Sequence, residues 1–297
     1  MRTSSEREIR NHSSCRETIA EQINQEIVKL CKNAGSKTVE QVKYHQRSGG
    51  SKRRALLCYD TARSFNHSHQ TALLLACSVE LLHNASLIHD DIQDQDMTRR
   101  DQAALWVKSS VAEAICVGDS LIAAAYMALG QLAIFNEKLI PLVSLRVMQT
   151  IKGQMSDIGQ GQFSRSSYTD VAKEKAAPLL RLSVELPSLL ANSSIIGEKL
   201  AKAAELFAIA YQFNDDISDQ IHDAQHNEPN IINIVAKEQD ISPNQCAIKN
   251  AESLIITEIQ AMLTDATNIL NSLPKIHSEP LFNYIERFQN RVLGQIK

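Results

Sequence analysis

The chain has 297 residues, with 31 Lys and Arg against 34 Asp and Glu and a net charge of −3, so no global basic field draws it to nucleic acid. Ten glycines, seven prolines and 5% aromatics, with long Ala/Leu/Ile/Glu/Lys stretches that lack strand-like alternation, argue against a β fold and predict an all-α protein. Six cysteines spread without C-x-x-C pairing fit thiols in a reducing compartment better than a disulfide framework, which makes the cytoplasm the expected address.

Residues 1–16 are polar and serine-rich without an apolar h-region, so a loose arm is expected there, and neither a signal peptide nor an anchor. A first helix is predicted near 19–30. The breaker Ser48-Gly49-Gly50-Ser51 precedes another over 52–65, so that Lys52, Arg53 and Arg54 crowd a helix start, where backbone N–H groups also favour anions. A long helix over 70–97 carries His83 and, two turns later on the same face, Asp90-Asp91-Ile92-Gln93-Asp94; Arg99 and Arg100 follow at once. Further helices are predicted near 111–132, 141–157, 176–193 and 198–221. The second of these carries Gly153-Gln154 and Asp157, and the last carries Gln212 and Asp215-Asp216-Ile217-Ser218-Asp219. The longest apolar stretch, 122–135, is interrupted by Gly130 and Gln131 and falls short of the roughly 20 residues of a membrane span, so no transmembrane segment is expected. Pro229 and Pro243 break the remainder, leaving helices near 244–271 and 279–293. With no repeat and no linker, 17–297 reads as one domain, a bundle of about ten helices around a central cavity.

Two D-D-x-x-D clusters are the most informative feature. A helix turns about 100° per residue, so Asp90 shares a face with Asp94, and Asp215 with Asp219. Six carboxylates gathered on one cavity repel one another unless cations offset them. Mg²⁺ held by carboxylates and substrate phosphates is the usual solution. Taken singly, His83, the arginine pair, the basic glycine turn and the G-Q-x-x-D stretch each fit an ordinary helical or surface role.

Taken in order, they do not. Basic glycine turn, His83, D-D-x-x-D, arginine pair, G-Q-x-x-D, lysine, then Q-x-x-D-D-x-x-D resembles the trans-isoprenyl diphosphate synthase (polyprenyl synthetase) family over about residues 45–235. Ala85-Ser86-Leu87-Ile88-His89-Asp90-Asp91 and Gly118-Asp119-Ser120-Leu121 carry the resemblance further. It implies an isoprenoid synthase type I fold, commonly a homodimer, with three Mg²⁺ ions joining an allylic prenyl diphosphate to Asp90, Asp94 and Asp215, and with Asp91, Asp216 and Asp219 in the same network. By the same resemblance Arg99 binds the allylic diphosphate, and His83 and Arg100, with the cations Lys52, Arg53 and Arg54, hold isopentenyl diphosphate. Lys175 stabilises the departing diphosphate, and Gln154, Asp157 and Gln212 flank the reacting carbons. The expected reaction lengthens the allylic diphosphate by one isopentenyl unit. Where this family sets product length, Ala85 and Ser86 are small, which allows a product longer than farnesyl if Leu81, Leu82 or residues on neighbouring helices leave the tunnel open.

The departures are local. Ser51 and Lys52 stand where the family has lysine and arginine, Ala55 replaces its proline and Ala176 its threonine; Asn227-Glu228-Pro229-Asn230 occupies the place of a basic residue after the second cluster. They leave two other readings open. One is a class I terpene synthase, or a prenyl transferase to another acceptor; the other is a non-catalytic subunit of a hetero-oligomeric synthase, against which both clusters are complete.

Overall fold

The structure, a computed structural model, describes residues 4–132, 136–158, 163–226, 228–239 and 244–295, and the side chains among them from residue 16 on, apart from 136, 158, 239 and 291–295. Its helices are α1 (Ser4–Leu30), α2 (Ser36–Arg47), α3 (Arg53–Ser64), α4 (His69–Gln93), α5 (Leu105–Lys108), α6 (Val111–Gly130), α7 (Asn136–Ile158), α8 (Arg165–Leu190), α9 (Ser194–His226), α10 (Ile231–Gln239), α11 (Gln245–Asn271) and α12 (Lys275–Gln295), with one 3₁₀ turn over Cys31–Ala34. The all-α expectation holds. The chain divides into two compact units, Met1–Pro141 with Leu186–Ala191, and Leu142–Glu185 with Asn192–Lys297. Because the divisions fall inside or at the ends of α7 and α8 rather than in a linker, the sequence gives no sign of them.

In the first unit α4 is apolar on all sides and therefore central. Leu73 to Leu82 are all buried, including Ser78 and Glu80. Its N-terminus is capped by Ser68, whose Oγ accepts from the Thr71 N–H at 3.1 Å. α3 and α6 pack against it. Ser110 caps α6 by accepting from Glu113 N at 3.2 Å, the S-x-x-E pattern of a capping box. α6 lies close enough to α4 that a Cβ on Gly118 would collide with the His89 ring. By length and composition α4 and α6 are each apolar enough to cross a membrane. The apolar window of α4 is 78% buried within the fold, whereas that of α6 is 39% buried.

In the second unit α9 packs on α10, α11 and α12. Phe207 meets Tyr284 and Phe288 edge-on at 5.2 and 5.3 Å between ring centroids, a favourable aromatic arrangement. Arg146 of α7 grips Glu185 of α8 with two hydrogen bonds of 2.8 and 2.6 Å, and Arg181 links Glu185 to Glu205 of α9. This paired network satisfies charges that burial would otherwise penalise.

The structure corrects four expectations of detail. The backbone of 4–16 continues α1, where no helix was expected before residue 19. α2 and α10 were not foreseen, being polar or short. Pro141, expected to open a helix, lies within α7. A two-stranded ribbon, β1 (Thr98–Arg99) with β2 (Gln102–Ala103), pairs antiparallel right after the first acidic cluster. Its two linking residues, Arg100 and Asp101, both have positive φ, 53° and 63°, the backbone of a type I′ hairpin turn. The Asn227 and Pro243 positions lie outside the described residues.

Candidate active site

The first acidic cluster closes α4. Asp90 is half-buried and Asp94 exposed, but Asp91 between them is 1% exposed. Arg99 on β1 reaches back to it, Nε donating to Asp91 Oδ1 at 2.5 Å, and also lies 3.5 Å from Asp96. Burial raises the Asp91 carboxyl above its ordinary range, and the Arg99 guanidinium partly offsets this. Thus Arg99, expected on the allylic diphosphate, is bonded to Asp91, and Asp91 anchors the hairpin. The backbone carbonyl of Asp96 accepts from Trp106 Nε1 at 2.8 Å. His89 lies 3.7 Å from Asp119 of the Gly118-Asp119 pair.

The basic turn meets this cluster through Arg100. Its guanidinium donates to the Gly49 carbonyl, and a Cβ on Gly50, whose φ is +121°, would strike it. Only glycine combines that backbone with that approach. Lys52, in the left-handed region at φ 45°, is buried with its Nζ 3.9 Å from Glu80. A hydrogen-bonded row continues through Glu80, Asn84 and His45 at 3.5 and 3.3 Å. Arg54 lies 3.3 Å from His83 Nε2. Burial, reinforced by Arg54 and Arg100, holds His83 well below its ordinary pKa, so a neutral ring accepts from Arg54. Burial likewise pushes His45 down to about 4 and Glu80 upward. Arg53 is half-exposed at the helix start. His45, Glu80 and Asn84 were missed; a carboxylate and an amide inside the apolar run of 73–88 are the signal that could have found the last two.

In the second unit, α7 and α8 touch at Gly153. A Cβ there would lie 2.6 Å from the Glu174 carbonyl carbon and the Lys175 nitrogen. Pro178 has no N–H for the Glu174 carbonyl four residues before it, and the α7 backbone passes at that point. The close approach brings Lys175 to Asp157, Nζ donating to Oδ2 at 2.6 Å. Gln154 is buried, with its Nε2 lacking a protein acceptor.

On α9, Asp215 is half-buried and Asp219 exposed, while Asp216 is buried. Both Asp216 oxygens are engaged: Oδ1 accepts from Gln212 Nε2 at 3.0 Å, and Oδ2 from Tyr168 Oη at 2.6 Å and Ile231 N at 3.1 Å. Burial pushes its carboxyl up to about 6, offset in part by these three donors. Gln212, expected beside the reacting carbons, is therefore turned onto Asp216. One turn past Asp219, Asp223 joins His222 and Glu228 in a group whose ligand atoms lie within 4.8 Å of one another. Nothing in the sequence singled out Tyr168.

Both clusters thus share one pattern. The middle aspartate is buried and bonded to protein, the first is half-buried and the last exposed. Oxygen-only donors spaced one helical turn apart suit a hard divalent cation, and the outward pairs Asp90/Asp94 and Asp215/Asp219 are the ligands that fit Mg²⁺. The buried Asp91 Oδ2, without a protein donor, is a further acceptor beside the first pair.

The profile of the polyprenyl synthetase family matches residues 36–259. The geranylgeranyl diphosphate synthase of Methanosarcina mazei is 30% identical over 184 residues, 58% of this chain and 55% of that protein. The farnesyl diphosphate synthase of Geobacillus stearothermophilus is 29% identical over 191 residues, 59% and 64% of the two chains. The matched segment thus spans between about half and two thirds of these curated relatives' length. The geranylgeranyl pyrophosphate synthetase structure from Geoglobus acetivorans superposes with a TM-score of 0.80 at 19% identity, covering 93% of this chain and 97% of that one. A decaprenyl diphosphate synthase from Rhodobacter capsulatus does so with 0.79 at 18%, covering 95% and 99%. At such identities the likeness is one of fold.

Proposed function

Because the chain belongs to the polyprenyl synthetase family, we propose that it is a Mg²⁺-dependent prenyltransferase joining isopentenyl diphosphate to an allylic prenyl diphosphate to give a longer trans-prenyl diphosphate. The observation that carries the reading is the shared pattern of the two clusters, in which Asp90, Asp94, Asp215 and Asp219 present carboxylates outward from helices locked by Asp91 and Asp216. The metal, when bound, supplies Lewis-acid stabilisation of the departing diphosphate. The protein's own contribution is to fix the carboxylates, to add the Lys175 ammonium as a counter-charge held by Asp157, and to offer Arg54, Arg100 and neutral His83 to a second diphosphate. No protein nucleophile is needed: the allylic C–O bond breaks as diphosphate departs, the π-bond of isopentenyl diphosphate attacks the allylic cation, and the released diphosphate takes the proton lost from the product.

A specific observation favours a second reading. Lys52, one of the cations available for an acceptor diphosphate, is buried against Glu80, which fits prenyl transfer to another acceptor. Incubation of the protein with Mg²⁺, labelled isopentenyl diphosphate and allylic primers of several lengths, followed by product sizing, decides. Chain elongation is the expected result, and diphosphate release without isopentenyl incorporation would select the second reading. Product length is to be read at Ser86, half-buried, rather than at Ala85, which is 1% exposed and leaves no room for an aromatic ring. Ser86→Phe is expected to shorten the product, and unchanged product would place the limit elsewhere.

We further propose a homodimer in the cytoplasm. Val111 and Ile115, one turn apart on α6, are 45% and 42% exposed, an apolar helix face that a second copy would cover.

A further inference from the structure

The connection from α9 to α10 occupies the stretch where a basic residue was expected, and what stands there is Asn230, 1% exposed. Its Nδ2 donates to the Asp216 carbonyl and to Asp223 Oδ2, each at 2.7 Å, while its Oδ1 accepts from Ile232 N at 2.9 Å. One amide therefore clips together both ends of the two α9 turns that carry Asp219, and also starts α10. From α8, the Tyr168 hydroxyl donates to Asp216 at 2.6 Å, and from α10 the Ile231 N–H does so at 3.1 Å. Asp216 is thus held from two neighbouring elements. Since successive helical residues diverge by about 100°, holding Asp216 inward sets the rotation of α9 and with it the direction of Asp215 and Asp219.

We propose that Tyr168 and Asn230 are positioning residues of the second acidic cluster, a neutral clamp that holds Asp215 and Asp219 in register for a metal-bound diphosphate. The inference rests on the metal-diphosphate reading above. Groups that orient a metal ligand without touching the metal typically alter affinity by about 10–100-fold. A merely structural bond lowers stability and leaves affinity alone.

The test is titration calorimetry of Mn²⁺ with inorganic pyrophosphate on the wild type, Tyr168→Phe, Asn230→Ala and Leu263→Ala, with the Mg²⁺ dependence of turnover alongside. Leu263, buried on α11, serves as a control that loses stability away from the clamp. Tyr168→Phe and Asn230→Ala are expected to weaken metal-pyrophosphate binding about ten-fold and to shift the Mg²⁺ requirement upward, with turnover at saturating Mg²⁺ largely restored; Leu263→Ala is expected to do neither. Wild-type affinity in both clamp variants, or a loss matched by Leu263→Ala, overturns the positioning role while leaving the proposed function standing. A wild type that binds no metal-pyrophosphate overturns both. If Asn230→Ala does not fold, Tyr168→Phe, which removes one oxygen atom, decides alone.

Discussion

Asp91 and Asp216 each follow the first aspartate of a cluster, and each turns into the protein instead of out. Their side chains therefore belong to folding, whereas Asp90 and Asp215 are the ones proposed for the metal. Removing the Asp216 carboxylate strands the buried Tyr168 Oη and Ile231 N, and each unsatisfied buried donor costs about 1–3 kcal/mol. Asp216→Ala is accordingly expected to lower unfolding free energy by several kcal/mol in urea titrations. Asp90→Ala and Asp215→Ala are expected to abolish turnover in protein that circular dichroism shows to be folded; normal rates in either would remove it from the metal site. His45 gives a pH dependence. The folded ring, at about 4 against an ordinary 6.5, refuses a proton that the unfolded chain accepts, so stability falls as pH drops from 6.5 toward 4. Between pH 7 and pH 5 this amounts to about 2 kcal/mol. His45→Gln is expected to lack that share, and equal acid sensitivity in both proteins would show that other groups set it.

At the scale of elements, the decisive contact is that of α7 with α8 at Gly153. Gly153→Ala forces a methyl group against backbone, which cannot swing aside as a side chain can. A stability loss of about 1–3 kcal/mol is expected, together with reduced turnover as Lys175 and Asp157 move apart; an unchanged melting temperature would mean that the two helices separate freely. The two acidic clusters, the glycine turn and the G-Q-x-x-D stretch were legible in the sequence because each is a pattern of a few neighbouring residues. The partners of Asp91 and Asp216 were not, because Arg99 comes back through a hairpin whose Arg100-Asp101 turn lacks the usual Asn-Gly signal, and Tyr168 and Asn230 lie 48 and 14 residues from Asp216. Helix α4 was legible as apolar and long, yet its buried Glu80–Asn84–His45 row depends on α2, whose polar sequence masked it.

For the molecule as a whole, family membership gives the architecture, and the two compact units each carry one outward aspartate pair. The exposed apolar face of α6 leads to an expected dimer in light scattering. Ile115→Glu is expected to shift it toward monomer, and a monomeric wild type would end that reading. The chain contains a single tryptophan, Trp106, whose indole N–H is bonded to Asp96, itself beside Arg99. All indole emission from the protein therefore originates next to the first acidic cluster. Mg²⁺ and a diphosphate arriving there would be visible as a change in intrinsic fluorescence, without a label and without waiting for turnover.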